Sequence, residues 1–315
     1  MRTRKLGNTD LELTAIGLGT WAIGGPWQVG WGPQDDADSI PTILAAVDSG
    51  INWIDTAPIY GCGHSEEVVG RALKQMGQKP LIATKCSLLW NDKREYVYCL
   101  DHDSIIKECE DSLRRLDIET IDLYQMHRPI PDEQVEEAWE AMIQLKQQGK
   151  VRHIGVSNVT VEQLDRVAAI HLPASLQPPY NMLRRDIEAD LIPYCGENRI
   201  GIVAYSPMQK GLLTGKFSIE HIKTLAPDDN RCNDPMFHGE AFEKNLAIVE
   251  KLKPIAERNG KTLAQLAIAW VLRKEEVTAA IVGARKQSQI EETVQAGDWV
   301  LGEEAIAEIE TILKQ

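Results

Sequence analysis

Four proton-bearing side chains stand at or just past the ends of three short apolar runs. Asp55 closes INWID and Tyr60 follows within five residues, Lys85 lies near the end of PLIATKC, and His127 follows IDLYQM. Each has an ordinary structural reading: Asp55 as a turn former, Tyr60 as a half-buried aromatic, Lys85 snorkelling at a rim, His127 as a satisfied core imidazole. Together they specify a chemistry. A phenol, with a reference pKa of about 10, is a poor proton donor at neutral pH. A buried ammonium beside it favours the phenolate and lowers that pKa, and a carboxylate next to the ammonium keeps it charged and aimed. Tyr60 then reads as the acid, Lys85 as its tuner and Asp55 as the anchor. A histidine N–H at the same place can hydrogen-bond a carbonyl oxygen and stabilise developing negative charge. Such a set reduces carbonyl groups, provided something supplies hydride.

Convergence of these groups requires a scaffold that brings successive strand ends to one place. Eight β-leaning runs recur, at 14–21, 51–56, 80–86, 121–127, 151–157, 175–181, 200–206 and 278–284. Most are continuously apolar, as strands buried on both faces of a parallel sheet are. Segments of helical period separate them, at 39–50, 66–77, 104–117, 135–149, 160–170 and 263–274, and a further helix is expected at 288–296. In 104–117, Ile105, Ile106, Cys109, Leu113 and Leu116 fall on one stripe behind Ser104 as N-cap. The pattern predicts an α/β fold, a (β/α)8 TIM barrel spanning residues 1–315 as one domain. A β-hairpin over 4–13 is expected to cap its N-terminal mouth, and an extra C-terminal helix over 302–314 closes the chain. Chemistry in such barrels belongs to the C-terminal strand ends. There, strand five delivers Ser157 and Asn158, strand six Gln177 and Tyr180, and strand seven Tyr205 and Ser206. The weakly patterned stretch 207–239 reads as a long functional loop, a flap over the mouth.

Composition narrows the function. With 47 acidic against 34 basic residues and a formal charge of −13, neither nucleic acid nor an anionic membrane is expected as a partner. No apolar leader or 18-residue apolar run is present, which predicts a cytoplasmic protein. The six cysteines and seven histidines lack metal-ligand spacing, so no metal site is expected and the thiols read as free. GLGTWAIGG is not the dinucleotide fingerprint of a doubly wound sheet, and GLLTGKF lacks the spacing of a phosphate loop. A glycosidase would need two facing carboxylates, where strands four and seven end in His127 and Tyr205.

GLGTW, DTAPIYG, the TK of strand three, DLYQMHRP, GVSN, AYSPMQKGLLTGK and VGARKQSQIEE follow one another in order over nearly the whole chain. In this the sequence resembles the aldo-keto reductase family, and within it the bacterial and plant general aldehyde reductases, whose relatives include potassium-channel β subunits. The resemblance implies NADP(H) bound in extended form across the barrel mouth and a small-molecule carbonyl substrate. It also implies that Asp55, Tyr60, Lys85 and His127 are the catalytic tetrad. Ser157, Asn158 and Gln177 would hold the carboxamide, and Tyr205 would stack on the nicotinamide. Gly211 to Lys216 match the pyrophosphate stretch, and Arg285, Gln289, Glu292 and Thr293 the adenosine end. Further cofactor contacts are expected at Trp21, Ser206, Pro207, Leu213 and Gly283. An NADPH-binding sensor or channel-subunit-like regulator with negligible turnover is the alternative. Where many members carry tryptophan after the histidine, this chain has Arg128.

Overall fold

A side chain at Gly17 would collide with the Trp53 indole, since a Cβ there would lie 2.1 Å from its ring. That close approach joins the first two strands of a closed parallel barrel. The computed structural model describes residues 1–314. The barrel strands are β1 (Ile16–Gly19), β2 (Trp53–Asp55), β3 (Leu81–Cys86), β4 (Ile121–Met126), β5 (Val151–Ser157), β6 (Ser175–Gln177), β7 (Gly201–Tyr205) and β8 (Val277–Gly283). Each pairs with the next and β8 with β1, so the sheet has no free edge. The (β/α)8 barrel expected from the apolar runs is the observed fold.

Side chains alternate across each strand, so every second residue points inward. The inward set divides into two layers. The lower is apolar and comprises Trp53, Ala83, Leu123, Val203 and Ala279, with Leu6, Leu11 and Leu13 packed beneath. Those leucines come from an antiparallel hairpin, Thr3–Lys5 with Glu12–Thr14, which stoppers the barrel base. The upper layer is two residues further along each strand and is polar. It holds Asp55, Lys85, Gln125, Ser157 and Gln177, all buried. Outward positions such as Ile54, Ile82, Tyr124, Val156 and Ala204 pack with helix residues in the main core.

The surrounding helices include α1 (Asp36–Asp48), α2 (His64–Leu73), α3 (His102–Leu116), α4 (Val135–Gln147), α5 (Val161–Ile170), α6 (Leu191–Asn198), α7 (Gly239–Arg258), α8 (Leu263–Val271), α9 (Gln287–Thr293) and α10 (Glu303–Leu313). Two of these, α6 and α7, go beyond the sequence reading. Pro193 and Gly196 interrupt the pattern of α6, and Pro254 that of α7, whose buried stripe also carries Asn245. Among the described residues no helix is long and apolar enough to cross a membrane.

Two loops depart from expectation. A second hairpin, Leu88–Trp90 with Tyr96–Tyr98, rises after β3. The 207–239 stretch is built from helical turns at Gln209–Thr214, Ile219–Ile222, Asn230–Asn233 and Pro235–Phe237. It meets the loop after β1 where Asp229 bridges Gly30, and Asn230 N–H donates to the Gly30 carbonyl at 3.0 Å.

Candidate active site

Register brings the upper layer together. Asp55 pairs across β2 and β3 with Ala83, and Lys85 across β3 and β4 with Gln125. Lys85 is fully buried, and its ammonium has three hydrogens and three acceptors: Asp55 Oδ1 at 2.6 Å, the Thr56 carbonyl at 2.8 Å and the Tyr60 hydroxyl at 3.3 Å. Because the Tyr60 oxygen accepts from Lys85, its own proton must point elsewhere, and the side open to it is the cavity.

Tyr60 reaches this position through a tight turn. A Cβ on Gly24 would lie 2.6 Å from the Tyr60 carbonyl carbon, and one on Gly61 2.0 Å from the Gly24 carbonyl oxygen, so only glycines allow the two backbones to meet. Below the turn a hydroxyl cluster fixes Asp55. Both Thr20 N–H and Thr20 Oγ1 donate to the Asp55 carbonyl, and Ser65 Oγ lies within hydrogen-bond reach of Thr20 and Thr56.

Asp55 Oδ2 accepts from Gln177 Nε2 at 2.8 Å and from Gln125 Nε2 at 3.4 Å, and Gln177 Nε2 also donates to Gln125 Oε1 at 3.2 Å. Both amide hydrogens of Gln177 are thereby engaged within the protein, leaving only its Oε1 for a ligand. Gln125 was missed in the sequence, although a glutamine at an inward position of an apolar strand was the available signal.

Asn158 ties three strand ends together. It adopts φ +60°, a conformation asparagine tolerates. Its Nδ2 donates to the His127 carbonyl at 3.0 Å and to Ser157 Oγ at 2.8 Å, and its Oδ1 accepts from Tyr205 OH at 2.8 Å. Ser157 Oγ donates in turn to the Gln177 carbonyl at 2.7 Å. His127 is held at its own N–H as well, which donates to the Cys86 carbonyl at 3.0 Å. The Tyr60 and His127 rings meet edge to face, centroids 5.8 Å apart, and Trp21 stacks 6.2 Å from Tyr60 on its other side.

Electrostatics correct one expectation. Burial raises the Tyr60 phenol above its ordinary value, and the Lys85 charge offsets only part of that effect. The expected net lowering is absent because desolvation of a phenolate outweighs one ammonium already shared with Asp55. For His127, burial and then Lys85 and Arg128 push the imidazole well below its usual value, so it is neutral at physiological pH. Its Nδ1 is buried without a partner. Nε2 is then the ring nitrogen left to meet a ligand.

A cavity of about 970 Å³ opens over this floor. Asp55, Tyr60, His127, Ser157, Asn158 and Gln177 line it, with Lys85 directly beneath Tyr60. Trp21 and Tyr205 form walls, and Ser206, Pro207 and Gly211 follow along the β7 end. Gly283 at the end of β8, and Arg285 and Gln289 beyond it, also line the cavity. Four expected residues stand outside. The Leu213 side chain is fully buried in the main core, and Thr293 is buried with its hydroxyl donating to the Gln289 carbonyl. Lys216 is exposed and pairs with Glu292 at 3.3 Å. Arg285 Nε donates to Gln34 Oε1 at 2.8 Å, and another guanidinium nitrogen donates to the Pro33 carbonyl. Gln289 Oε1 accepts from the Arg285 and Lys286 backbones, capping α9.

The loop after β7 was not resolved by sequence reasoning in detail. Gln209, Lys210 and Gly211 all have positive φ. Buried Asn181 secures them, its Nδ2 donating to the Ser206 carbonyl and to Gln209 Oε1. Lys210 pairs with Asp234 at 2.8 Å, anchoring the start of 207–239 to its end.

The sequence model of the Aldo/keto reductase family matches residues 15–314. The chain belongs to the aldo/keto reductase family. It is 41% identical to aldo-keto reductase YhdN of Bacillus subtilis (strain 168), covering 100% of this chain and 94% of that protein. It is 35% identical to an NADH-specific methylglyoxal reductase of Escherichia coli (strain K12), covering 94% and 93%. A solved glycerol dehydrogenase from Gluconobacter oxydans superposes with a TM-score of 0.90 at 41% identity, covering 99% of this chain and 94% of that one. Members of this aldo/keto reductase family use a nicotinamide cofactor.

Proposed function

We propose that this aldo/keto reductase reduces small aldehydes and ketones to alcohols with NADPH, with Tyr60 as proton donor. The observation that carries this reading is the fully used ammonium of Lys85, which leaves the Tyr60 proton directed into the cavity. The cavity fits a nicotinamide dinucleotide in volume and in donors. About 970 Å³ is at the upper end of ligand pockets, and it runs from Tyr60 to Arg285. Tyr205 offers an aromatic face, Gln177 Oε1 an acceptor, and Arg285 a guanidinium whose partners are neutral oxygens.

When bound, the reduced nicotinamide supplies a hydride to the carbonyl carbon. A carbonyl oxygen at the floor meets two donors, Tyr60 OH and His127 Nε2–H. As the C=O bond becomes C–O⁻, both donors take up its charge. The phenol O–H bond then breaks and its proton passes to the oxygen, giving the alcohol and a phenolate. Lys85 stabilises that phenolate through the hydrogen bond it already donates. Asp55 holds Lys85, and the two glutamines hold Asp55. The raised Tyr60 pKa keeps the phenol protonated before the reaction and opposes release, so the Lys85 hydrogen bond is what eases the transfer; neutral His127 does not compete as an acid.

Steady-state NADPH oxidation over a panel of aldehydes tests the reading against that of a non-turning sensor. Tyr60→Phe is expected to lower kcat at least about 100-fold with little change in cofactor Kd, the signature of a lost general acid. A near-full kcat in the variant refutes the assignment.

A further inference from the structure

Most cations lining the cavity are already neutralised. Lys210 pairs with Asp234, Arg231 with Asp229 at 2.6 Å, and Arg184 with Asp186 at 3.8 Å. Arg285 is held by Gln34 and Pro33, at the loop after β8. Arg128 lines the cavity too, immediately after His127, and among the described residues no carboxylate pairs with it. Its neighbours are phenols: the guanidinium hydrogen-bonds the neutral Tyr205 hydroxyl, and Tyr98 of the second hairpin lies within its field.

The backbone at this position is fixed. Arg128 N–H donates to Ser87 Oγ, and Ser87 Oγ donates to the Arg128 carbonyl, both at 3.0 Å. Ser87 itself holds φ +78°. This clamp sets the residue on the cavity wall without engaging the guanidinium. In a chain of net charge −13, a half-buried arginine without an anion is a site that an anion completes, because a partly desolvated charge is stabilised by a partner. The guanidinium fork matches a carboxylate bidentately.

We propose that Arg128 selects carbonyl substrates carrying a carboxylate, the acid group binding Arg128 while the carbonyl meets Tyr60 and His127. The proposal rests on the reductase reading for the position of the carbonyl. Consecutive residues 127 and 128 hold the two polar ends of one small molecule, so the spacer between acid and carbonyl is short, a few carbons or one ring. Tyr205 and Tyr98 supply the flanking apolar and hydroxyl surface.

The test compares 4-carboxybenzaldehyde with its methyl ester, matched in ring and aldehyde and differing in charge. The wild-type protein is expected to favour the acid in kcat/KM, chiefly through KM. Arg128→Met is expected to lower the acid-to-ester ratio about 10- to 100-fold, the range of a charged hydrogen-bonded contact. Arg128→Lys, which keeps the charge but not the fork, should fall between. A wild-type ratio at or below one, or a ratio unmoved by Arg128→Met, overturns the proposal.

A binding measurement separates this from the reductase reading. Trp21, Trp27 and Trp31 line the cavity, so quenching of tryptophan fluorescence reports occupancy without turnover. 4-(Hydroxymethyl)benzoate should bind the wild-type protein more tightly than benzyl alcohol, and Arg128→Met should abolish the difference. If that pattern holds while neither aldehyde is reduced with NADPH or NADH, the carboxylate site stands and the reductase reading fails. Equal binding of acid and alcohol by the wild-type protein overturns the carboxylate site whatever the turnover.

Discussion

Glu108 of α3 is buried behind β3, outside the cavity, and accepts from Ser104 Oγ at 3.3 Å and from the Ser87 backbone. Its Oε2 has no partner. Burial raises its carboxyl from the ordinary 4.5 to about 8, against opposing help from those hydrogen bonds and Arg115, and with added repulsion from Glu66. In the unfolded chain the group ionises near 4.5, so between 4.5 and 8 folding takes up a proton and stability falls as pH rises. Each pH unit is worth about 1.4 kcal/mol, or about 5 kcal/mol over the interval. The full contribution is present below 4.5 and lost above 8. Glu108→Gln removes the titration while keeping the shape. In reversible urea unfolding at pH 5, 7 and 9, the variant and wild type should agree within about 1 kcal/mol at pH 5. The variant should be more stable by about 4–5 kcal/mol at pH 9. Every other ionisation cancels in the difference. Parallel curves for the two proteins would show that Glu108 is ionised in the folded state and refute the reasoning. The group matters to the site because Ser87, which it holds by the backbone, clamps Arg128 through its hydroxyl.

Arg285→Ala should raise Kd for NADPH about 10- to 150-fold and leave Kd for NADH nearly unchanged, since a charged hydrogen bond contributes about 1.5–3 kcal/mol and only NADPH carries the 2′-phosphate. Fluorescence titration of both cofactors checks it, and an equal loss for both would mean that Arg285 merely ties its loop to Gln34 and Pro33. NADPH should also slow amide hydrogen exchange across 207–239, the stretch bridged to Gly30, and identical exchange with and without cofactor would remove its role as a flap.

The barrel was legible because strands buried on both faces leave unbroken apolar runs, and because polar residues two steps past the apolar layer announce the strand ends. Asp55, Lys85 and Gln177 belong to that set, and they do meet. Residues that act on the site from behind it were not legible. Asn181, Thr20 and Ser65 carry no pattern of their own, and their importance lies in which carbonyl or side chain they reach across the fold. Helix α7 hid behind Pro254 and a buried Asn245, which blunt a helical stripe. The direction of the Tyr60 pKa was misjudged because sequence shows which charges are near but not how much water is gone. Leu213 and Thr293 fell within matching motifs, yet packing turned both side chains into the core.

The stoppered base has a consequence for proton traffic. Below Lys85 lie Trp53, Ala83 and Leu123, and below them the leucines of the N-terminal hairpin; Ser175 puts a buried hydroxyl in that layer, but it has no hydrogen-bond partner through which to relay a proton. In the proposed reaction the phenolate left on Tyr60 cannot be recharged from underneath, since Lys85 hands on no proton to solvent while it is fully buried and bonded three ways. The replacement proton must descend through the mouth by which the alcohol leaves. Resetting the acid is thus queued behind product departure, and the barrel works like a vessel with a single neck, emptied before it is refilled.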